Sequence, residues 1–406
     1  MIHDDTTPPL DPETLMVRGG LNRTPFGETS EALFLTSGYV YDGPEQAARR
    51  FTGEDPGFVY SRYSNPTLAM LAERLRLIEG AESCHLTASG MAAVYAAMVC
   101  HVKTGDHIVS ARALFGSCHY ILANIMPRFG VEVTFVDGAD LGAWAAAFRP
   151  NTKLAFCESP ANPTLELVDI AGVAEITHRH GARLVVDNVF ATPLLQRPLA
   201  LGADVVVYSA TKHIDGQGRC LGGAILCDAA FGKDQIEPFL RHTGPAMSAF
   251  NAWVFLKGLE TLSLRIERMT ASATRLADAL AQMPGITRML YPHHMSFPQY
   301  ALAKRQMTAG STLVAFEVTG GRAGAFAFLN ALQTIDISNN LGDAKSLITH
   351  PSTTTHRAMP EPDRLALGIT EGFLRLSVGL EAADDLIRDL RRGSDAVLAL
   401  HRQAAQ

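Results

Sequence analysis

Apolar positions alternate between helical and strand spacing along most of this chain, and the stretch that lacks such a pattern is its beginning. Residues 1 to about 65 are rich in Pro, Gly, Thr and Ser and show no sustained 3.6-residue period, which predicts an irregular arm that something else must cover. From Pro66 the pattern tightens. Leu68, Leu71, Leu75 and Ile78 share one helical face, predicting a helix over Thr67–Glu79 that stops at Gly80. Short apolar runs follow at His107–Ser110, Glu132–Val136, Leu154–Glu158, Arg183–Asp187 and Asp204–Ser209, separated by helical segments such as Met91–Val102 and Ile170–His180. Apolar strands alternating with helices indicate a mostly parallel sheet covered by helices on both faces. A long helical stretch is expected over Gly258–Met283, ending at Pro284-Gly285. Beyond it, Thr312–Val318 and Phe373–Val378 read as strands, and Ala323–Leu332 and Asp384–Arg402 as amphipathic helices. The expected class is α/β: an arm over 1–65, a large domain over 66–260 and a smaller C-terminal α/β domain over 261–406.

Composition changes this picture mainly by exclusion. A chain of 406 residues that is 47% apolar can bury a large core. Its formal charge of −6, without a run of five Lys or Arg and without aromatics interleaved among basic clusters, argues against a nucleic-acid partner and for small metabolites. No apolar stretch reaches the length of a membrane span, and the opening Met1–Pro9 lacks the charged and apolar regions of a signal peptide. A cytoplasmic protein without a membrane partner is expected. Cys84, Cys100, Cys118, Cys157, Cys220 and Cys227 form no C-x-x-C pair and read as free thiols of a reducing compartment. His293-His294 lacks the i, i+4 partner and the carboxylate of a helical metal site, so no metal is expected there.

The chemistry gathers at predicted strand ends. Asp204-Val-Val-Val-Tyr-Ser-Ala-Thr-Lys212 ends a strand with Ser209, Thr211 and a lysine, where open α/β sheets collect their ligands. Alone, Lys212 would read as a solvated lysine. Gly216, Gly218, Gly222 and Gly223 follow at once, however, and free the backbone to fold closely around a bound group. Asp187 closes the neighbouring strand, and an acid there can keep a pyridine nitrogen protonated. Thr87-Ala-Ser89-Gly90-Met91 leads into a helix whose free N–H groups suit a phosphate. Gly216-Gln-Gly-Arg-Cys-Leu-Gly222 has the wrong spacing for a dinucleotide fingerprint and precedes an apolar run, Ala224–Leu226, instead of a helix.

Four ordered stretches, Tyr60-Ser-Arg-Tyr-Ser-Asn-Pro-Thr67, Glu158-Ser-Pro-Ala-Asn-Pro163, Tyr208 through Gly223 and Arg375-Leu-Ser-Val-Gly-Leu-Glu381, resemble the Cys/Met-metabolism family of pyridoxal-5′-phosphate (PLP) enzymes. The resemblance runs from about Thr14 to the C-terminal helix. It implies a transferase of fold type I, and Lys212 as the Schiff-base lysine with Asp187 opposite the pyridine nitrogen. Ser89, Gly90, Met91, Ser209 and Thr211 match the phosphate ligands, and Asn162 the residue near the phenolic oxygen. Arg375 matches the fork for a substrate α-carboxylate, whose geometry a guanidinium meets bidentately. Tyr60 and Arg62 match a pair lent to the phosphate by a neighbouring subunit in a homotetramer built as a dimer of dimers. Tyr60 stands with Lys212 among the candidate catalytic residues, and Asn340 with Arg375 among the substrate contacts.

Two departures refine the expectation. Phe115-Gly-Ser117 replaces the Tyr-Gly-Gly of many members, so the ring stacked on the cofactor has no hydroxyl to move a proton. Asn340-Leu-Gly-Asp-Ala-Lys345 replaces the Ser-Leu-Gly-Gly-Val-Glu of the lyase and synthase branches. Both are similar to the branch that uses hydrosulfide. The implied reaction converts O-succinyl-L-homoserine and sulfide to L-homocysteine and succinate in methionine biosynthesis. Transfer to cysteine, use of the acetyl ester, and γ-elimination remain alternatives within the family, and a non-catalytic PLP-binding protein is the alternative outside it.

Overall fold

The computed structural model describes residues 10–404. The opening nine residues, read above for a leader, lie outside them. Seven strands form one sheet: β1 (Ser83–Thr87), β2 (His107–Ala111), β3 (Glu132–Val136), β4 (Thr152–Glu158), β5 (Arg183–Asp187), β6 (Val205–Ser209) and β7 (Gly223–Cys227), in the order β1-β7-β6-β5-β4-β2-β3. Only β7 runs antiparallel to its neighbours. Because side chains alternate across a strand, Val185, Val205 and Val207 face one apolar cluster while Val186, Val206 and Tyr208 face another. Helix α3 (Pro66–Glu79) covers the second face through Leu71, Leu75 and Ile78, and α4 (Gly90–Val99) covers the first through Ala93, Val94 and Ala97. Burying both faces is what permits near-continuous Val, Ile and Leu in these strands.

A second sheet, β8 (Ile286–Leu290), β9 (Leu313–Val318), β10 (Asp336–Ile337), β11 (Leu347–Thr349) and β12 (Phe373–Ser377), has the order β10-β11-β12-β9-β8. Val314, Phe316, Leu374 and Leu376 pack with Phe328 and with Leu386, Leu390 and Val397 of the terminal helix Ala383–Ala404.

The elements differ from the sequence reading in three places. Gly258–Met283 is not one helix: Ala249–Leu259 and Leu262–Leu280 are separated by a break at Glu260-Thr261. Ser248 caps the first of them by accepting from Asn251 N–H at 3.1 Å, so that helix begins earlier than its apolar pattern suggests. Strand β1, with half-buried Ser83, Cys84 and His85, carries no apolar run to reveal it. The arm contains two short helices, α1 (Pro12–Arg18) and α2 (Pro44–Thr52), and α2 buries none of its side chains. The arm is nonetheless anchored: Glu31 pairs with fully buried Arg74 of α3 and with Lys257, each at 2.5 Å. No helix among the described residues is long and apolar enough to cross a membrane.

Candidate active site

The C-terminal ends of β4, β5 and β6 open on one cavity of about 230 Å3. Its floor begins where β6 stops. The turn after Ser209 returns Lys212 N–H to the Ser209 carbonyl at 3.2 Å, and Gly216 N–H to the Lys212 carbonyl at 2.8 Å. Gly216 has φ +68°, and a Cβ there would lie 1.9 Å from Arg265 Nη1, so the loop closes only on glycine. Arg265 in turn donates to the His213 carbonyl at 2.7 Å and the Gly258 carbonyl at 2.8 Å, fixing the loop to both helices at their break.

One end of the cavity is built for a phosphate. Ser89 caps α4 by accepting from Ala92 N–H at 3.2 Å, leaving the first N–H groups of the helix exposed to the cavity beside Ser209 and Thr211. A Cβ on Gly90 would stand 2.5 Å from the Ser209 Cβ, so glycine alone lets the helix start meet the strand end.

The opposite wall carries two buried carboxylates, Asp187 and Glu158. Burial pushes the Asp187 pKa up, and burial together with the Asp187 charge pushes Glu158 well above the usual carboxylate range. A cationic ring nitrogen would relieve that pair. Glu158 accepts from Phe115 N–H at 2.6 Å and from Asn162 N–H at 3.0 Å, and so positions both residues. Its role went unseen in the sequence, although the strand-end rule that singled out Asp187 applies equally to Glu158 at the end of β4.

Lys212 Nζ donates to Asn340 Oδ1 at 2.6 Å, and burial first, then Arg375, lowers its pKa to about 8. Arg375, in β12, donates to Asn162 Oδ1 at 2.9 Å and to the carbonyls of Asn339 and Asn340 at 3.0 and 3.2 Å. Its Nε is buried without a partner, a donor waiting for an acceptor. Burial lowers the Arg375 pKa to about 10, which leaves it cationic at neutral pH. With Oδ1 held by Arg375, the Asn162 amide N–H groups remain for a cavity ligand.

Ser89, Gly90, Met91, Phe115, Asn162, Asp187, Ser209, Thr211 and Lys212, together with Arg375, thus line one cavity, and Asn340 joins them through Lys212, whereas Gly216, Gly218, Gly222 and Gly223 are not among its walls. Leu341 and Thr355 are walls that the sequence reading did not name. Tyr60 and Arg62 are not walls of this cavity; in their own chain the Arg62 guanidinium lies over the Tyr60 and Tyr63 rings and donates to the Arg241 carbonyl.

Lysine amine, buried acid and helix-start anion cradle define a class: enzymes whose phosphate-bearing pyridine cofactor is anchored through a lysine. The donor set fits pyridoxal phosphate at each of its functional groups. The chain belongs to the Cys/Met metabolism PLP-dependent enzyme family, whose sequence profile matches residues 13–394. It is 54% identical over 383 residues to the O-succinylhomoserine sulfhydrylase of Mycobacterium tuberculosis, covering 93% of this chain and 94% of that one. To the enzyme of the same name from Pseudomonas aeruginosa it is 50% identical over 385 residues, 95% of each chain. A solved Campylobacter jejuni structure carrying N′-pyridoxyl-lysine-5′-monophosphate superposes with a TM-score of 0.91 at 32% identity, covering 95% of this chain and all of that one. The fold is accordingly fold type I of the PLP-dependent enzymes.

Proposed function

We propose that this chain catalyses γ-replacement, converting O-succinyl-L-homoserine and hydrosulfide to L-homocysteine and succinate in methionine biosynthesis. The likeness to two O-succinylhomoserine sulfhydrylases over 93% and 95% of the chain carries the reading. When bound, pyridoxal phosphate supplies the electron sink that acidifies the substrate Cα–H and then Cβ–H bonds.

The chain's own residues do the rest. The N–H groups of Gly90 and Met91 and the hydroxyls of Ser89, Ser209 and Thr211 hold the phosphate, Asp187 the ring nitrogen, and Asn162 the phenolic oxygen. Phe115 covers the ring and contributes no proton. Arg375 grips the substrate α-carboxylate, using the Nε that has no partner among the described residues. Lys212 anchors the cofactor; once free, with a pKa near 8, its amine removes the Cα proton and later returns one, and Asn340 steadies it by accepting a lysine N–H at Oδ1. At Cγ the C–O bond breaks, its electron pair leaves with succinate, and hydrosulfide forms the C–S bond. Tyr60 and Arg62 reach the phosphate from a neighbouring subunit of a cytoplasmic homotetramer, a dimer of dimers.

The test offers succinyl-, acetyl- and phosphohomoserine to the holoenzyme, each with sulfide or cysteine, and identifies the products. Hydrosulfide needs no partners for a carboxylate and an amine, whereas cysteine does. Sulfide is expected to exceed cysteine at least about tenfold in kcat/KM, roughly 1.4 kcal/mol of transition-state preference, with the succinyl ester as the best donor. Cystathionine as the main product would overturn the reading.

A further inference from the structure

A second cavity, of about 620 Å3, adjoins the first, and Asn339 and Thr355 are walls of both. It lies between the helix Gly321–Asn330, the strand end at Ile337-Ser338 and the turn after β11. Phe326, Leu329 and Ile337 supply its apolar surface, and the Phe326 ring stands edge-on to His350 with centroids 5.4 Å apart. Among the described residues, none of its walls is an Asp or a Glu.

Its hydrogen-bonding capacity is divided unevenly. His350 Nε2 lies 2.9 Å from the Glu371 carbonyl, which only accepts, so Nε2 carries the proton and Nδ1 accepts from Thr353 at 2.8 Å. Thr354 donates to the His350 carbonyl at 2.8 Å, so the hydroxyl of Thr349, 2.9 Å away, donates to Thr354. Thr355 is engaged with His356 Nδ1 at 2.9 Å. The hydroxyl protons of Thr349, Thr353 and Thr354 and the imidazole proton of His350 are therefore committed to the protein, while Ser338, which accepts from Asn340 N–H at 3.2 Å, keeps its hydroxyl proton for a ligand. The uncommitted N–H donors are the side-chain amides of Asn330 and Asn339, both exposed at the chamber mouth. The Asn339 backbone is itself held by Arg375, whose Nη2 donates to its carbonyl at 3.0 Å.

From these observations we infer that the chamber is the acyl subsite: it takes the succinyl arm of the ester, two methylenes against Phe326, Leu329 and Ile337, and the terminal carboxylate at the amides of Asn330 and Asn339. This rests on the proposed γ-replacement and adds the basis of acyl choice. An acetyl group ends in a methyl and has neither the length for the apolar walls nor an acceptor for the amides. Uncharged amide donors around a carboxylate select an anion while leaving the departing dicarboxylate free to dissociate.

Position 330 is exposed at the end of its helix, so its variants retain the fold. In Asn330→Asp holoenzyme, the ratio of kcat/KM for O-succinyl- over O-acetyl-L-homoserine with sulfide should fall at least about tenfold, because like charges meet at the chamber mouth. Succinate alone, titrated calorimetrically into the holoenzyme, should bind at least about tenfold more weakly to Asn330→Asp and more tightly to Asn330→Lys. A ratio and succinate affinities all within about twofold of the parent would overturn the subsite. So would a change of sedimentation coefficient unaccompanied by a change of ester preference, which would make the chamber a contact between subunits. Should the parent convert neither ester with sulfide yet bind succinate in this Asn330-dependent way, the proposed reaction falls and the subsite stands.

Discussion

Desolvation governs the single most important residue. An ammonium loses hydration when Lys212 is enclosed, and the positive Arg375 beside it adds to the cost, which is why its pKa drops to about 8. Above that value the free amine is neutral and competent as a base; below it the amine fills with a proton and the first step slows. No other lysine among the described residues lines the cavity. Lys212→Ala should therefore bind pyridoxal phosphate without a covalent link, so that borohydride reduction followed by denaturation strips the cofactor from the chain. Cofactor retained on the variant by mass spectrometry would move the attachment to another amine.

At the scale of elements, a buried polar seam joins the strand end that bears Asp187 to helices on either side. Tyr208 of β6 donates to Glu79 of α3 at 2.6 Å, and Asn188 Nδ2 reaches the Tyr208 hydroxyl at 2.7 Å. Gln196 donates to Asn188 at 2.9 Å, and Gln306, from the helix Tyr300–Gln306, donates to Gln196 at 2.9 Å. Burial raises the Glu79 pKa to about 7. A carboxyl whose pKa is higher folded than unfolded contributes fully below pH 4.5, and that contribution is lost as pH rises through 7, at a cost of up to about 3 kcal/mol. Glu79→Gln keeps an acceptor for Tyr208 and does not titrate. Thermal unfolding should show the variant gaining on the parent between pH 5 and pH 8; an equal gap at both values would mean that Glu79 ionises alike in the folded and unfolded chain, with no raised pKa.

At the scale of the whole molecule, the cavity is short of positive charge where the phosphate belongs. Among the described residues Lys212 and Arg375 are its only Lys or Arg walls, and the proposed function commits one to the cofactor aldehyde and the other to the substrate. Meanwhile the arm leaves the large apolar side chains of Phe26, Leu35, Val40 and Phe51 exposed, surface that the proposed second copy would cover. The proposed lending of Tyr60 and Arg62 by a neighbouring subunit would answer both needs. Mixing inactive Arg62→Ala with inactive Lys212→Ala subunits should restore part of the activity, since one site of a hybrid dimer then carries both native groups. Hybrids proven by mass spectrometry that stay inactive would show that each site is built from one chain.

Periodicity and motif spacing by themselves determined the alternation of β4, β5 and β6 with helices, the placing of Lys212 and Asp187 at strand ends, and the donor-rich start of α4. These were legible because burial on both faces demands unbroken apolar strands, and because helix starts and strand ends expose polar groups whatever surrounds them. The tertiary structure alone decided the rest. Strand β7 enters antiparallel between β1 and β6, a pairing that its five residues do not encode. Glu158 is indistinguishable in sequence from any buried strand-end acid until Phe115 and Asn162 are brought to its two oxygens. Asn340 meets Lys212 across 128 positions of sequence, and Arg375 meets Asn162 across 213. Such contacts depend on how two sheets dock, and docking is set by the summed packing of both cores, which no local pattern records.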